Sequence, residues 1–409
     1  MTDDPSFFRL RAVTGAQKAK LGPRSRIAAT LIFIGCLSLG FWIAQHKALW
    51  NDEYFSQLSS VDGTSYTAQW SGRIPEGGNP PLFYSLQKLF LQTIHYQVPI
   101  QWSQGHWSND AVSQILLRVN PVIFMSLSVT MVFYYFCRRG SLLIGFYSLF
   151  IYISSYMLWV YWAEARPYAL LVFLTTAQSM VLLDRMGQDF CANKRNSWVL
   201  LAVINMLLAL TFILSVGQIL AASVLWWWVF REHDWKKYVL MTALPVAVAF
   251  FYYMHAPKYQ FFFGLSPEQL IRDNISRQRF DILFIYLISL SAYWGGQKKQ
   301  LLEGILDKEI LRPVPYVIFM VLVLASSAMV LCFFAFHAKG NQGFPVTSRY
   351  FIYLTPIGAI ATTIMSVSLF GSLSRHRLIQ RILMGLIGFL LAQYFLKIVP
   401  KALHSLMQG

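Results

Sequence analysis

From Trp198 to Phe230 the chain runs without a single charged side chain. Nothing else in the sequence restricts the fold as much. A membrane crossing takes about 20 mostly apolar residues, and globular helices run to about 20. The run is too long for one of either. Two short crossings joined by a break fit it, and Ser215-Val216-Gly217 supplies a break. Further apolar runs occupy 27–49, 118–137, 141–161, 167–184, 238–255, 281–296, 314–336, 350–371 and 381–399. Together they predict about eleven spans. Composition agrees: 56% of the residues are hydrophobic and only 13% charged, with a mean hydropathy of +0.47. Soluble domains carry about 25% charged residues. An all-α polytopic membrane protein is expected, built as one membrane domain without repeat, low-complexity tract or linker.

Lysine and arginine set the orientation. Arg138-Arg139, Arg185 with Lys194-Arg195, Arg231 with Lys236-Lys237, Lys298-Lys299 with Lys308 and Arg312, and Arg375, Arg377 and Arg381 each follow an alternate span. With the basic N-terminal tail they fall on one side, the cytoplasm. This reading divides the chain into a cytoplasmic tail (1–26), a transmembrane domain (27–399) and an outer tail (400–409). The first apolar run is longer than a signal h-region and lacks a small-residue cleavage site, so it is expected to be retained. Pro81 to Ile94 is apolar too, but a crossing there would invert every later loop. It is short and carries Gln87, Lys88 and Gln92, so an interfacial helix within the first outer loop, 50–117, is expected. The net charge of +16 then lies against anionic lipid, which argues against a nucleic-acid partner. Cys36, Cys137, Cys191 and Cys332 sit in apolar runs or basic segments, so a disulfide framework is not expected.

This topology leaves few charges beside spans on the outer side. Asp52 and Glu53 open the first outer loop. Glu164 and Arg166 lie in the second outer turn, just before Pro167 and Tyr168, and Arg349 lies where a late span begins. Carboxylates at membrane depth are rare and usually functional. A carboxylate can accept the proton of an attacking hydroxyl, and guanidinium groups can grip phosphate oxygens as charge develops on a leaving group. The set suits transfer of a group from a phosphate-bearing donor to a hydroxyl. Energised nucleotides are absent outside the plasma membrane, so a lipid-linked sugar is the expected donor. Structural readings stand beside these. Asp52-Glu53 can be a solvated helix end, Glu164 and Arg166 an ion pair in a turn, and Arg349 a snorkelling side chain. The histidines show no metal-ligand spacing, and no Walker loop, dinucleotide fingerprint or Gly-x-Ser-x-Gly elbow is present.

In order and spacing these segments resemble the GT-C glycosyltransferases, in particular the bacterial branch akin to protein O-mannosyltransferases and the lipid A aminoarabinose transferase. The resemblance rests on Asp52-Glu53, on Pro80-Pro81-Leu82-Phe83-Tyr84, on Glu164-Ala165-Arg166-Pro167-Tyr168-Ala169-Leu170, and on Arg349-Tyr350. It covers about residues 45 to 185 well and the remainder thinly. It implies a GT-C fold and an inverting reaction on the outer face of a bacterial inner membrane. The partners it implies are a polyprenyl-phosphate-linked sugar donor, a lipid, glycan or protein acceptor, and membrane lipid. Asp52 is implied as the base, with Glu53 as close competitor and Glu164 as the second acidic residue. Arg166 and Arg349 are implied for the donor phosphate, with Tyr168, Asn79, Tyr84 and Lys258 as further substrate-binding candidates. Family members often place His or Lys where this chain has Asn79, and many carry a Thr-His pair where it has Thr211-Phe212. Some relatives bind a divalent cation and others do not, so the metal stays open. A lipid-linked-sugar flippase and a noncatalytic subunit of an envelope-glycan complex are the alternatives.

Overall fold

The computed structural model describes residues 23–75, 79–103, 106–108, 110–186, 197–230, 234–255, 280–299, 308–337, 348–372 and scattered positions between 382 and 404. The described chain is helical apart from loops and one short hairpin, β1 (Gln101–Ser103) with β2 (His106–Ser108), in the first loop region. Helix α1 (Pro23–His46) leads into α2 (Asn51–Phe55), a π-helical segment (Ser56–Asp62), α3 (Tyr66–Trp70) and α4 (Leu82–Thr93). After the hairpin come α5 (Ala111–Leu116), α6 (Val119–Arg139), α7 (Leu142–Ile153), α8 (Tyr156–Val160) and α9 (Tyr168–Met186). Then follow α10 (Ser197–Ala209), α11 (Ser215–Phe230), α12 (Trp235–Tyr238), a π-helical segment (Val239–Ala243) and α13 (Leu244–His255). The last well-described helices are α14 (Phe280–Lys299), α15 (Val314–His337) and α16 (Leu354–Ser372).

Among the described residues, five helical stretches are long and apolar enough to cross a membrane: Pro23–His46, Ala111–Arg139, Tyr168–Met186, Trp235–His255 and Leu354–Ser372. Shorter apolar helices cover Leu142–Ile153, Ser197–Ala209, Ser215–Val229, Asp281–Trp294 and Val314–Val330. Helices therefore stand at ten of the expected span positions; the run 381–399 lies largely outside the described residues.

Three boundaries differ from the sequence reading. Helix α1 stops at His46, because the carbonyls of Ala44 and Ala48 are taken by the Arg118 guanidinium at 3.1 and 2.8 Å. A basic side chain from outside the helix thus satisfies carbonyls at its end. The 141–161 run breaks at Ser154-Ser155: Ser154 Oγ donates to the Ile151 carbonyl at 2.7 Å, and the Trp159 indole N–H to that of Ile153 at 2.6 Å. Such side-chain bonds compete with the helix ladder. The turn inside 198–230 falls at Leu210–Leu214 rather than at Ser215-Val216-Gly217. Gly217 instead lies within α11, where an added Cβ would meet Ser326 Cβ at 2.8 Å. Its missing side chain lets α11 and α15 approach closely, as small residues do between membrane helices.

Helix α6 is the hub, packed on α1, α7 and α9. Helices α9 and α16 are buried along most of their length, whereas α1 and Trp235–His255 are mostly uncovered. Two sets of polar side chains inside the bundle satisfy one another. Ser128 Oγ meets the Tyr152 hydroxyl and the Thr176 hydroxyl, each at 2.7 Å. Gln218 donates to Gln178 at 2.7 Å, Gln178 to Asn205 at 2.8 Å, and Asn205 to the Met241 carbonyl at 2.7 Å. Helix α4 is too short to cross and lies over the start of α6. Its Gln87 donates to the Leu117 carbonyl at 3.1 Å and accepts from Asn120 at 2.9 Å. Lys88 caps the Val61 and Thr64 carbonyls at 2.7 and 2.8 Å.

Candidate active site

The site forms where the chain leaves α1, and its frame is a buried ion pair. Glu53 sits at the third position of α2, where a glutamate can reach back to the N-cap. Its Oε2 accepts the Trp50 backbone N–H at 2.9 Å. Arg118, at the start of α6, grips the same carboxylate with Nε on Oε1 at 2.9 Å and Nη2 on Oε2 at 2.7 Å. The Ala165 N–H donates to Oε1 at 2.7 Å. Both partners of the pair are fully buried. Four charge-assisted bonds therefore join the end of α1, the start of α6 and the turn before α9. Burial alone would raise the Glu53 carboxyl, but the Arg118 charge and hydrogen bonds, with Lys47 and the Ala165 N–H, hold it below the usual glutamate range. Every oxygen of this carboxylate is committed, so Glu53 builds the site rather than offering a base to a substrate.

Asp52, one residue earlier, has different partners. Its Oδ2 accepts from Arg166 Nη1 at 2.7 Å and from Arg349 Nη1 at 2.5 Å. Arg166 is delivered by a tight nonhelical turn in which its own N–H donates to the Glu164 carbonyl at 2.7 Å. Pro167 disfavours helix at the residue before it, which keeps Arg166 out of α9. Arg349 comes from the short 3-10 turn Ser348–Phe351 before α16. The two arginines are far apart in sequence, and they converge on one oxygen. The Asp52 side chain is 41% exposed, against 2% for Glu164 and 0% for Glu53. It is the carboxylate of the three that a substrate can reach.

Glu164 is buried beside Lys47, with Oε2 3.8 Å from Nζ. Lys47 Nζ donates to the Val160 carbonyl at 2.9 Å. Burial raises the Glu164 carboxyl, and the Lys47 charge offsets this only in part. Burial likewise lowers the Lys47 ammonium. The Glu164 Oε2 and the Tyr168 hydroxyl are buried with no hydrogen-bond partner among the described residues. Tyr168 opens α9 with its ring 5.3 Å from the Arg166 guanidinium. Four cations (Lys47, Arg118, Arg166, Arg349) thus meet three carboxylates, which leaves the cluster one positive charge in excess.

Asn79 and Tyr84 belong to a neighbouring cluster. Asn79 Nδ2 donates to the Tyr84 hydroxyl at 3.0 Å. The Leu82 N–H, after Pro80-Pro81, donates to the Leu210 carbonyl at 3.0 Å. Phe212 of that turn packs on Tyr350, ring centroids 5.8 Å apart, beside Arg349. The Pro-Pro segment therefore reaches the arginines through the turn between α10 and α11. Lys258 lies outside the described residues.

Sequence reading assigned no role to Arg118 or Lys47. Both stand at the edge of an apolar run, where a basic residue reads as an interface anchor. Arg118 is nevertheless the sole charge between Asp110 and Arg138, and that isolation was the available signal. At its far end α6 carries Arg139, which pairs with Asp184 near the end of α9. The charged cluster and that ion pair thus occupy opposite ends of the same two helices.

No protein-family model matches the chain, and no curated protein matches it significantly. Among the described residues no group of three or more His, Cys, Asp or Glu side chains could hold a metal ion.

Proposed function

We propose that this protein is a polyprenyl-phosphate-sugar-dependent glycosyltransferase of GT-C type, with about eleven spans and its site on the outer face of a bacterial inner membrane. The observation that carries the reading is the convergence of Arg166 and Arg349 on Asp52 at one end of the helix bundle. Two guanidinium groups beside a reachable carboxylate are what transfer from a phosphodiester to a hydroxyl requires. In the proposed step the acceptor oxygen bonds to the anomeric carbon from the face opposite the phosphate. The bond from that carbon to the phosphate oxygen breaks, and the phosphate leaves with the electron pair toward Arg166 and Arg349. Asp52 takes the acceptor hydroxyl proton and passes it to water. A single displacement inverts the anomeric centre. Glu53 and Arg118 hold this geometry, and Glu164 with Lys47 packs behind it.

A transporter places polar groups near the bilayer midplane, and the Gln178–Asn205–Gln218 network lies well inside the bundle. Those groups are uncharged and bonded to one another, which favours a packing role. A noncatalytic subunit would not need the reachable Asp52. The test compares envelope glycolipids, glycans and glycoproteins by mass spectrometry in cells with and without the protein. Removing it should delete one glycosylated species. Asp52→Asn should lower transfer by roughly 10²–10⁴. Full restoration of that species by Asp52→Asn would refute the assignment.

A further inference from the structure

We infer that Asp52 serves as an internal stand-in for the donor phosphate: it holds the seat between Arg166 and Arg349 that a phosphate oxygen takes, and donor binding frees it to act as base. The inference rests on the glycosyltransferase reading and adds an order of events to it.

The geometry argues for an exchange. Both Nη1 atoms address the same oxygen, Asp52 Oδ2, at 2.7 and 2.5 Å. Two guanidinium groups brought this close repel each other and need a shared anion between them. Asp52 Oδ2 is the oxygen that fills this place. Glu53 is saturated by Arg118, Trp50 and Ala165, and Glu164, buried beside Lys47, feels the two arginine charges from behind that seat. A phosphate oxygen accepts from arginine as a carboxylate does, and a phosphate offers more of them in a geometry the guanidinium fork matches. Asp52 is also the partly exposed member of the cluster, so it can turn away without opening the buried frame. While it sits between the arginines, they are turned to it rather than to a donor. Once phosphate replaces it, the carboxylate is released beside the bond to be broken. Donor binding then precedes acceptor activation.

The test uses the full-length protein in lipid nanodiscs with a polyprenyl monophosphate as probe and the corresponding polyprenol as control, binding being read by native mass spectrometry. If Asp52 competes with phosphate, Asp52→Asn should bind the probe about tenfold more tightly than wild type, and Arg349→Gln should remove that gain. Equal or weaker binding by Asp52→Asn overturns the exchange and leaves the donor reading standing. If neither protein prefers the phosphate to the polyprenol, the donor reading itself falls. A second measurement needs no variant. Carbodiimide-driven coupling of an amine to Asp52 in wild type should rise when the polyprenyl phosphate is added, because the carboxylate leaves the arginines. Unchanged or reduced coupling, with the probe bound, overturns the inference.

Discussion

Breaking the Glu53–Arg118 pair should strongly destabilise this protein, whereas removing the charge of Asp52 should not. The two carboxylates are adjacent in sequence, so the contrast isolates what the fold does with each. Glu53 and Arg118 are fully buried and joined by two hydrogen bonds of 2.9 and 2.7 Å. Removing one partner of such a pair costs about 3–5 kcal/mol, because the other charge is left buried and unpaired. At about 1.4 kcal/mol per tenfold change, that lowers the folded-to-unfolded ratio by two to three orders of magnitude or more. Arg118 also donates to the carbonyls of Ala44, Lys47 and Ala48, so Arg118→Ala should lie at the upper end. Arg118→Lys keeps the charge but cannot reproduce the planar fork, and should rescue little. Glu53→Gln keeps the shape and leaves the guanidinium without its counter-charge. The assay is thermal unfolding in detergent followed by tryptophan fluorescence, with the monodisperse fraction after heating as a second readout. Asp184→Asn is the control, since its pair with Arg139 is 47% exposed on the acidic side. Exposed pairs contribute at most about 1 kcal/mol. If Glu53→Gln and Arg118→Ala melt like wild type, the frame described here does not hold the fold together.

Topology can be checked in a cysteine-free background: Arg73→Cys, an exposed position in the first loop, should react with an impermeant maleimide in intact cells. Arg138→Cys should react only after permeabilisation, and the reverse pattern would invert the orientation. Gly217→Leu should destabilise the α11–α15 contact, since even a Cβ there meets Ser326 Cβ at 2.8 Å; an unchanged melting temperature would contradict that packing. Glu164 has a carboxyl raised by burial, so its contribution to stability is full below the ordinary glutamate pKa of about 4.3 and is lost as pH rises through its folded value. Wild type should therefore lose stability more steeply than Glu164→Gln as pH rises from the acid range, with Lys47, Glu53, Arg166 and Arg349 facing the group throughout. Equal slopes in the two proteins would remove Glu164 as the source.

Much of the site was legible because membrane charges are few. Asp52, Glu53, Glu164, Arg166 and Arg349 each abut an apolar run on one side of the predicted topology, and the fold gathers them into one cluster. Their division of labour was not legible. Asp52 and Glu53 are chemically near-identical neighbours, and only the partners and burial that the fold gives each separate a reachable carboxylate from a buried one. Arg118 and Lys47 escaped notice because a basic residue at the end of an apolar run looks the same whether it reaches water or turns inward.

The sequence by itself determined the helical membrane architecture, since long uncharged runs leave the backbone no other way to satisfy its hydrogen bonds in lipid. It also determined the alternation of basic clusters between apolar runs. Tertiary structure decided what lies between those rules. It moved the 198–230 turn to Leu210–Leu214 and kept Gly217 for a helix contact. It ended α1 with a guanidinium from α6. It also set two arginines, one from before α9 and one from before α16, on a single oxygen of Asp52. Hydropathy and spacing report each segment's affinity for lipid or water. Which charges meet depends on how distant segments pack, and that is settled only when the bundle closes.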